Sequence, residues 1–111
     1  MTDETAEAVV ILTNLATVAD ATVLGDLLVA ERLAASVNII PGVVSIYRWE
    51  GRQVRAAEVT MAIKTVRAKA DAVIAAIERE HPYECPPALV LAVEGGGHGY
   101  LEWIAGQTGK G

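Results

Sequence analysis

The feature that most constrains the fold is a long stretch of strand-forming sequence that a turn divides once. The segments "SVNIIPGVVSIYRWE" (residues 36–50) and "VRAAEVTMAIKT" (residues 54–65) are both rich in residues that favour strands. Because the Glu50–Arg52 segment between them is a turn signal, the two predict a long β-hairpin. Pro41-Gly42 predicts a bend or bulge in the first strand, since proline lacks the N–H donor that a strand ladder needs.

Two segments flanking this hairpin have helical periodicity. The first, residues 18–35, is amphipathic, and Thr17 or Asp20 can cap its N-terminus. Its apolar residues at helical spacing are Leu24, Leu27, Leu28 and Leu33. The second helix, residues 67–80, has a buried stripe of Ala70, Val73, Ile74 and Ile77. The prolines of "HPYECPP" end it, because each removes a donor and restricts the preceding residue.

Three shorter segments complete the predicted order. "AVVILT" (residues 8–13) and "ALVLAVE" (88–94) read as strands, and "YLEWIAGQ" (100–107) as a short terminal helix after a glycine-rich loop. The order β-α-β-β-α-β predicts an α+β fold with a four-stranded antiparallel sheet and two helices on one face. At 111 residues the chain is expected to form a single domain, residues 1–111.

The second face of the predicted sheet has no obvious cover within the chain. Val59, Met61 and Ile63 alternate with polar or small residues, so the sheet has one apolar and one mixed face. Tyr47 and Trp49 lie on the same face of the other hairpin strand, in a chain without phenylalanine. Since one short helix cannot cover a whole sheet face, we expect copies of the chain to associate there.

Composition excludes several classes of partner. Fourteen acidic against nine basic residues give a net charge of −5, which argues against binding to a nucleic-acid backbone. No apolar run approaches the ~20 residues that span a bilayer, and the N-terminus lacks the basic region of a secretion signal. The single cysteine, Cys85, fits a reducing compartment. The sequence thus predicts a cytoplasmic protein that binds neither membrane nor nucleic acid.

The motifs of common catalytic and nucleotide-binding sites are absent or incomplete. The hairpin strand at 54–65 lacks the aromatic residues of an RNA-recognition motif, and the segment after the first strand lacks the glycine and arginine of an acylphosphatase-type phosphate loop. "GGGHG" has no Walker lysine, and two histidines allow no Ser-His-Asp constellation to be proposed. The sequence therefore predicts a protein that is not an enzyme.

One small cluster suggests metal binding. His81 and Cys85, with Glu84 beside them, offer an imidazole, a thiolate and a carboxylate that suit copper or zinc. The alternative is a histidine that closes the second helix and a cysteine buried as a small hydrophobe. No cofactor is certain from the residues, and copper or another divalent cation is the candidate.

Four segments resemble one family in order and spacing. "ERLAASVNIIPGVVSIYRWEG", "EVTMAIKT", "HPYECP" and "YLEWI" are similar to the CutA divalent-cation tolerance proteins, and the resemblance spans Val9 to Ile104. It implies a ferredoxin-like subunit with a long hairpin and a short C-terminal helix, in a homotrimer whose strands pair across subunits. It also implies a role in tolerance of divalent metals, notably copper, with no established enzyme activity.

The resemblance also implies an intersubunit cleft with defined lining residues. By motif position, and for Tyr47 by its place in the hairpin, that lining consists of Tyr47, Trp49, Glu58, Lys64, Tyr83 and Trp103, with His81 beside them. Three positions depart from the family. Ser36 stands where a cysteine is frequent, Ala56 replaces an acidic residue, and Cys85 occupies a position that is commonly aliphatic or threonine. A copper site therefore cannot be transferred as a whole, and only His81 transfers by position.

Two functions of different class follow. The first is a homotrimeric divalent-cation tolerance protein that binds or responds to metal. The alternative is a PII-like signalling or scaffold trimer that binds a small anion or nucleotide between subunits, with Lys64 and Arg48 as the anion contacts.

Overall fold

The structure, a computed structural model, describes residues 7–109, and within that range the predicted order of elements is confirmed. The elements are β1 (Ala8–Leu15), α1 (Val18–Ala30), β2 (Ser36–Trp49), β3 (Arg52–Val66), α2 (Arg67–Glu80), β4 (Leu89–Ala92) and α3 (His98–Gln107). Most of the N-terminal region that bears on a secretion signal, residues 1–6, lies outside the described range, as do residues 110–111. No helix within it is long and apolar enough to cross a membrane.

The four strands form one sheet in the order β2-β3-β1-β4, and every neighbouring pair is antiparallel. This is the predicted α+β arrangement, with β2 and β4 at the two edges of the sheet. The central strand β1 shows why the sequence folds in this way. Its residues alternate strictly between partly buried and buried, so one side of the strand faces a core and the other does not.

The core lies between this sheet and the helices α1 and α2. Ile11 of β1 and Ile63 of β3 pair directly and are completely buried. Leu28 of α1 and Ile77 of α2 close over the same cluster. In α2 the predicted stripe is confirmed at three of its four positions. Ala76 is buried in addition, while Ile74 is only partly buried.

The hairpin of β2 and β3 is continuous except at the predicted break. The register shifts between Ile40 and Val43, where Gly42 has a φ of 79°. At the tip, Glu50 and Gly51 have φ values of 49° and 79°, the double positive conformation that matches the twist of a two-residue hairpin turn. The hairpin contributes to a long molecule, with extents of 49 × 26 × 22 Å.

Helix α1 is shorter than the sequence predicts, since it ends at Ala30 rather than Ala35. Arg32 adopts a left-handed conformation with a φ of 59°, and the Leu33 N–H donates to the Leu28 carbonyl at 2.9 Å. This is the hydrogen-bond pattern of a Schellman motif, for which glycine is the usual residue. Because arginine rather than glycine occupies that position, the sequence does not indicate that α1 ends there.

Helix α3 begins at His98, two residues before the prediction, and packs on the second face of the sheet. Ile104 contributes to a small cluster with Ala35 of the loop before β2 and Val66 of β3. The remainder of that face stays open, with Ile40 47% and Leu91 45% exposed. One short helix therefore leaves much of the face uncovered in a single chain.

Candidate functional site

A cleft in the described part of the chain lies on this second face, between the outer part of the hairpin and the segment after α2. Its volume is about 760 Å³. Its lining consists of Asn14, Ser45, Ile46, Tyr47, Trp49, Glu58, Tyr83, Glu84, Cys85 and Pro87. Four of the six predicted cleft residues are thus brought together by one chain, namely Tyr47, Trp49, Glu58 and Tyr83.

Strand pairing explains how the hairpin presents these groups. Val43 of β2 lies opposite Glu58 of β3, and Tyr47 and Trp49 lie opposite Val54 and Arg52. Because side chains alternate along a strand, residues two or four apart share a face. The two aromatic side chains therefore share one face, as the sequence predicts, and the register shows that this is also the face of Glu58.

Glu58 is the most buried charged group of the cleft, at 7% exposed. Its carboxylate accepts a hydrogen bond from the Tyr83 hydroxyl at 3.0 Å and a longer one from the Asn14 amide at 3.5 Å. The ion pairs found among residues 7–109 involve other carboxylates, and none includes Glu58. The nearly buried Glu58 carboxylate is thus stabilised by two neutral hydrogen-bond donors, Tyr83 and Asn14.

The Tyr83 hydroxyl stays protonated over a wide pH range. Burial and the adjacent Glu58 carboxylate, which accepts its hydrogen bond, raise the pKa of Tyr83 to about 12. The Tyr83 hydroxyl therefore donates a hydrogen bond to Glu58 at neutral pH.

Asn14 is the site residue that sequence reasoning missed. A polar residue in the apolar strand "AVVILTNL" was an available signal.

The three predicted metal ligands do not converge in one chain. His81 is buried, with Nε2 2.5 Å from the Asn14 carbonyl oxygen, and Nδ1 accepts from the Tyr83 N–H at 3.1 Å. The only tautomer that satisfies both bonds is the neutral ring with its proton on Nε2, which leaves no free lone pair for a metal. Glu84 and Cys85 are exposed at the cleft, and residues 7–109 hold no group of three His, Cys, Asp or Glu placed to bind a metal ion.

Lys64 and Trp103 lie at the other end of the same face. Lys64 is six residues beyond Glu58 on β3, about 20 Å at the usual rise of a strand. Its ammonium contacts the Tyr100 hydroxyl at 3.3 Å, and the Tyr100 ring stacks on Trp103 with centroids 5.6 Å apart.

The two proposed anion contacts, Lys64 and Arg48, are far apart in one chain. Arg48 pairs with Gln53, and Gln53 is eleven residues from Lys64 along β3, a distance of about 36 Å. Within one chain they cannot hold the same anion.

Comparison with known proteins gives a consistent result. The family model described as CutA1 divalent ion tolerance protein matches residues 9–107. A divalent-cation tolerance protein CutA from Pectobacterium atrosepticum is 41% identical over 98 residues, which cover 88% of this chain and 89% of that protein. The chloroplastic protein CutA 1 of Oryza sativa is 40% identical over 81 residues, but the match spans 73% of this chain and only 46% of the rice protein.

Solved structures agree with the fold. The crystal structure of CutA from Xylella fastidiosa superposes with a TM-score of 0.90 at 34% identity, covering 93% of this chain and 99% of that one. A CutA from Archaeoglobus fulgidus, described as periplasmic, superposes with a TM-score of 0.89 at 28% identity, covering 92% and 99%. The location in the cytoplasm therefore stays a prediction.

Proposed function

Since this chain belongs to the CutA1 divalent ion tolerance family, we propose that it acts as a homotrimer in tolerance of divalent cations, notably copper. It would do so in the cytoplasm by binding or responding to the metal, without catalysis. The observation that carries the proposal is the open second face of the sheet.

That face combines exposed apolar side chains with open strand edges. Leu89 and Leu91 of the edge strand β4 are 67% and 45% exposed, and Ile40 of the other edge strand, β2, is 47% exposed. An edge strand presents unpaired backbone groups that favour pairing with another strand. A second copy that pairs at these edges would cover the apolar side chains and satisfy the backbone at the same time.

The hairpin supports the same conclusion. Tyr47 and Trp49 remain 42% and 44% exposed in one chain, although aromatic side chains of this size usually contribute to a core or an interface. We expect them to lie against a neighbouring copy in the trimer.

Metal binding in this proposal requires more than one chain. Glu84 and Cys85 line the same cleft and supply a carboxylate and a thiol. Copper and zinc in proteins are normally held by three or four such ligands. A neighbouring copy would complete the set, or His81 would have to give up one of its two hydrogen bonds.

Light scattering of the purified protein tests the assembly. We expect a mass of three chains, and we expect Trp49→Ala to lower the melting temperature in a concentration-dependent way. Burial by a neighbour would make this substitution cost about 3–5 kcal/mol. Val23→Ala, which alters an exposed side chain on α1, is the matched control. A single-chain mass at all concentrations would refute the trimer.

Calorimetric titration with copper(II) and zinc tests the metal. Cys85→Ser and Glu84→Gln should each weaken binding while the trimer mass is unchanged, and Glu102→Gln should have no effect. Equal binding by all these variants would refute the proposed ligands.

A further inference from the structure

The charge of the cleft is entirely negative. Among the residues that line it, Glu58 and Glu84 are the charged side chains, and neither lysine nor arginine is present. The arginines of the same hairpin, Arg48, Arg52 and Arg55, lie outside this lining. The cleft therefore favours a cation.

The Glu58 carboxylate has unused capacity for such a ligand. An ionised carboxylate offers about four acceptor positions. Tyr83 and Asn14 occupy two of them, and the Asn14 contact at 3.5 Å is at the limit of a hydrogen bond. Because a buried carboxylate is costly without a cationic partner, a positively charged ligand would gain a strong, charge-assisted hydrogen bond there.

The walls of the cleft distinguish an organic cation from a bare metal ion. Three aromatic side chains, Tyr47, Trp49 and Tyr83, line it together with Pro87. Aromatic faces attract ammonium and guanidinium groups, and apolar side chains pack against carbon chains. A volume of about 760 Å³ lies within the usual range of small-molecule pockets and is far larger than a metal ion requires.

We propose that this cleft, at the boundary with a neighbouring copy in the proposed trimer, binds a small organic cation whose ammonium or guanidinium group pairs with Glu58 and whose carbon body lies between that copy and the rings of Trp49 and Tyr47. The site is distinct in chemistry from the metal ligands considered above, since it needs one carboxylate and aromatic walls rather than several metal-binding side chains. The proposal therefore goes beyond metal tolerance, but it rests on the proposed trimer, in which the neighbouring copy must leave the cleft open.

The test uses the purified, assembled protein after treatment with a chelator, so that metal is not involved. The probes are choline, putrescine and agmatine, which carry a quaternary ammonium, two primary ammonium groups, and a guanidinium with an ammonium. Dimethylbutanol, the neutral isostere of choline, is the control ligand. Binding is followed by calorimetry and by tryptophan fluorescence, and we expect at least one cation, but not the neutral isostere, to bind saturably.

Matched variants identify the site. Glu58→Gln preserves the shape of the side chain but removes its charge, and it should weaken binding of the cation about tenfold or more. Trp49→Leu should weaken it a few-fold through loss of the aromatic face. Glu102→Gln and Val23→Ala, outside the cleft lining, should bind as the unaltered protein does. Circular dichroism establishes that each variant is folded.

Two outcomes would overturn the proposal. One is that dimethylbutanol binds as well as choline does. The other is that no probe binds, and if Glu58→Gln then also destabilises the assembly, the partner of Glu58 is a basic side chain of a neighbouring copy. Mass and metal titration are measured separately, so a failure of the trimer or of metal binding is distinguishable from a failure here.

Discussion

The two faces of the sheet are built from the same strands and have opposite surroundings. On the helix-covered face, Ile11, Met61 and Ile63 are completely buried within one chain. On the other face, Ile40 and Leu91 are about half exposed, and α3 covers only a part near Val66. One face is therefore completed by the chain itself, whereas the other depends on something outside it.

The polar side chains of the candidate site follow the same division. Side chains alternate along each strand, so every second residue of β1 and β3 is excluded from the helix-covered core. Asn14, Glu58 and Lys64 occupy these positions, all on the open face. The strand period thus places the candidate site on the face that remains available to a ligand or a neighbouring copy.

The largest effect is expected on the covered face. Ile63→Ala removes a completely buried side chain, and we expect the free energy of unfolding to fall by about 2–5 kcal/mol because a cavity remains. Denaturant unfolding at several protein concentrations measures it. The loss should not depend on concentration.

Ile40→Ala is the matched substitution on the open face, where the side chain is 47% exposed. In a dissociated chain the substitution should hardly change the free energy of unfolding. As protein concentration rises and the chains assemble, the loss of stability should increase. If Ile40→Ala and Ile63→Ala had equal, concentration-independent costs, the distinction between the two faces would be wrong.

Much of this fold could be predicted from the sequence because its signals are local. Strand periodicity, the Pro41-Gly42 bulge and the hairpin turn all depend on residues adjacent in the chain. The end of α1 could not be predicted, since a left-handed Arg32 has no such signature.

The candidate site was predictable only in part, for a related reason. The shared face of Tyr47 and Trp49 follows from strand alternation, but the contact of Glu58 with Asn14 and Tyr83 joins three distant parts of the chain. Lys64 and Glu58 were predicted to line one cleft, but both lie on β3, six residues apart. The length of that strand keeps their side chains apart within one chain.

An intermediate effect is expected from Tyr83→Phe, which removes a donor to the nearly buried Glu58 on the open face. A hydrogen bond to a charged group contributes about 1.5–3 kcal/mol, so stability at neutral pH should fall by an amount of that order. The raised pKa of Tyr83 also makes the stability of the protein depend on pH. The unfolded chain releases this proton near pH 10 and the folded one only near pH 12, so the unaltered protein loses stability as pH rises between these values.

Tyr83→Phe should therefore abolish that alkaline loss, and the difference from the unaltered protein should shrink above pH 10. Urea unfolding between pH 7 and 12 measures both quantities. Tyr47→Phe is the control, because it leaves Tyr83 and its alkaline loss in place. An unchanged slope in Tyr83→Phe would show that another group causes it.

The smallest effect is expected at the start of α1, a helix that packs on the helix-covered face of the sheet. The Thr17 hydroxyl accepts a hydrogen bond from the Asp20 N–H at 3.0 Å, which satisfies one of the free donors of the first turn. Thr17→Ala should lower the free energy of unfolding by about 1 kcal/mol, whereas Thr17→Ser retains the acceptor and should cost less. Because Thr17 does not line the cleft and its hydroxyl acts only on the first turn of α1, neither variant should alter the assembled mass or binding in the cleft. A change in mass with Thr17→Ala would mean that the two faces are energetically coupled through α1.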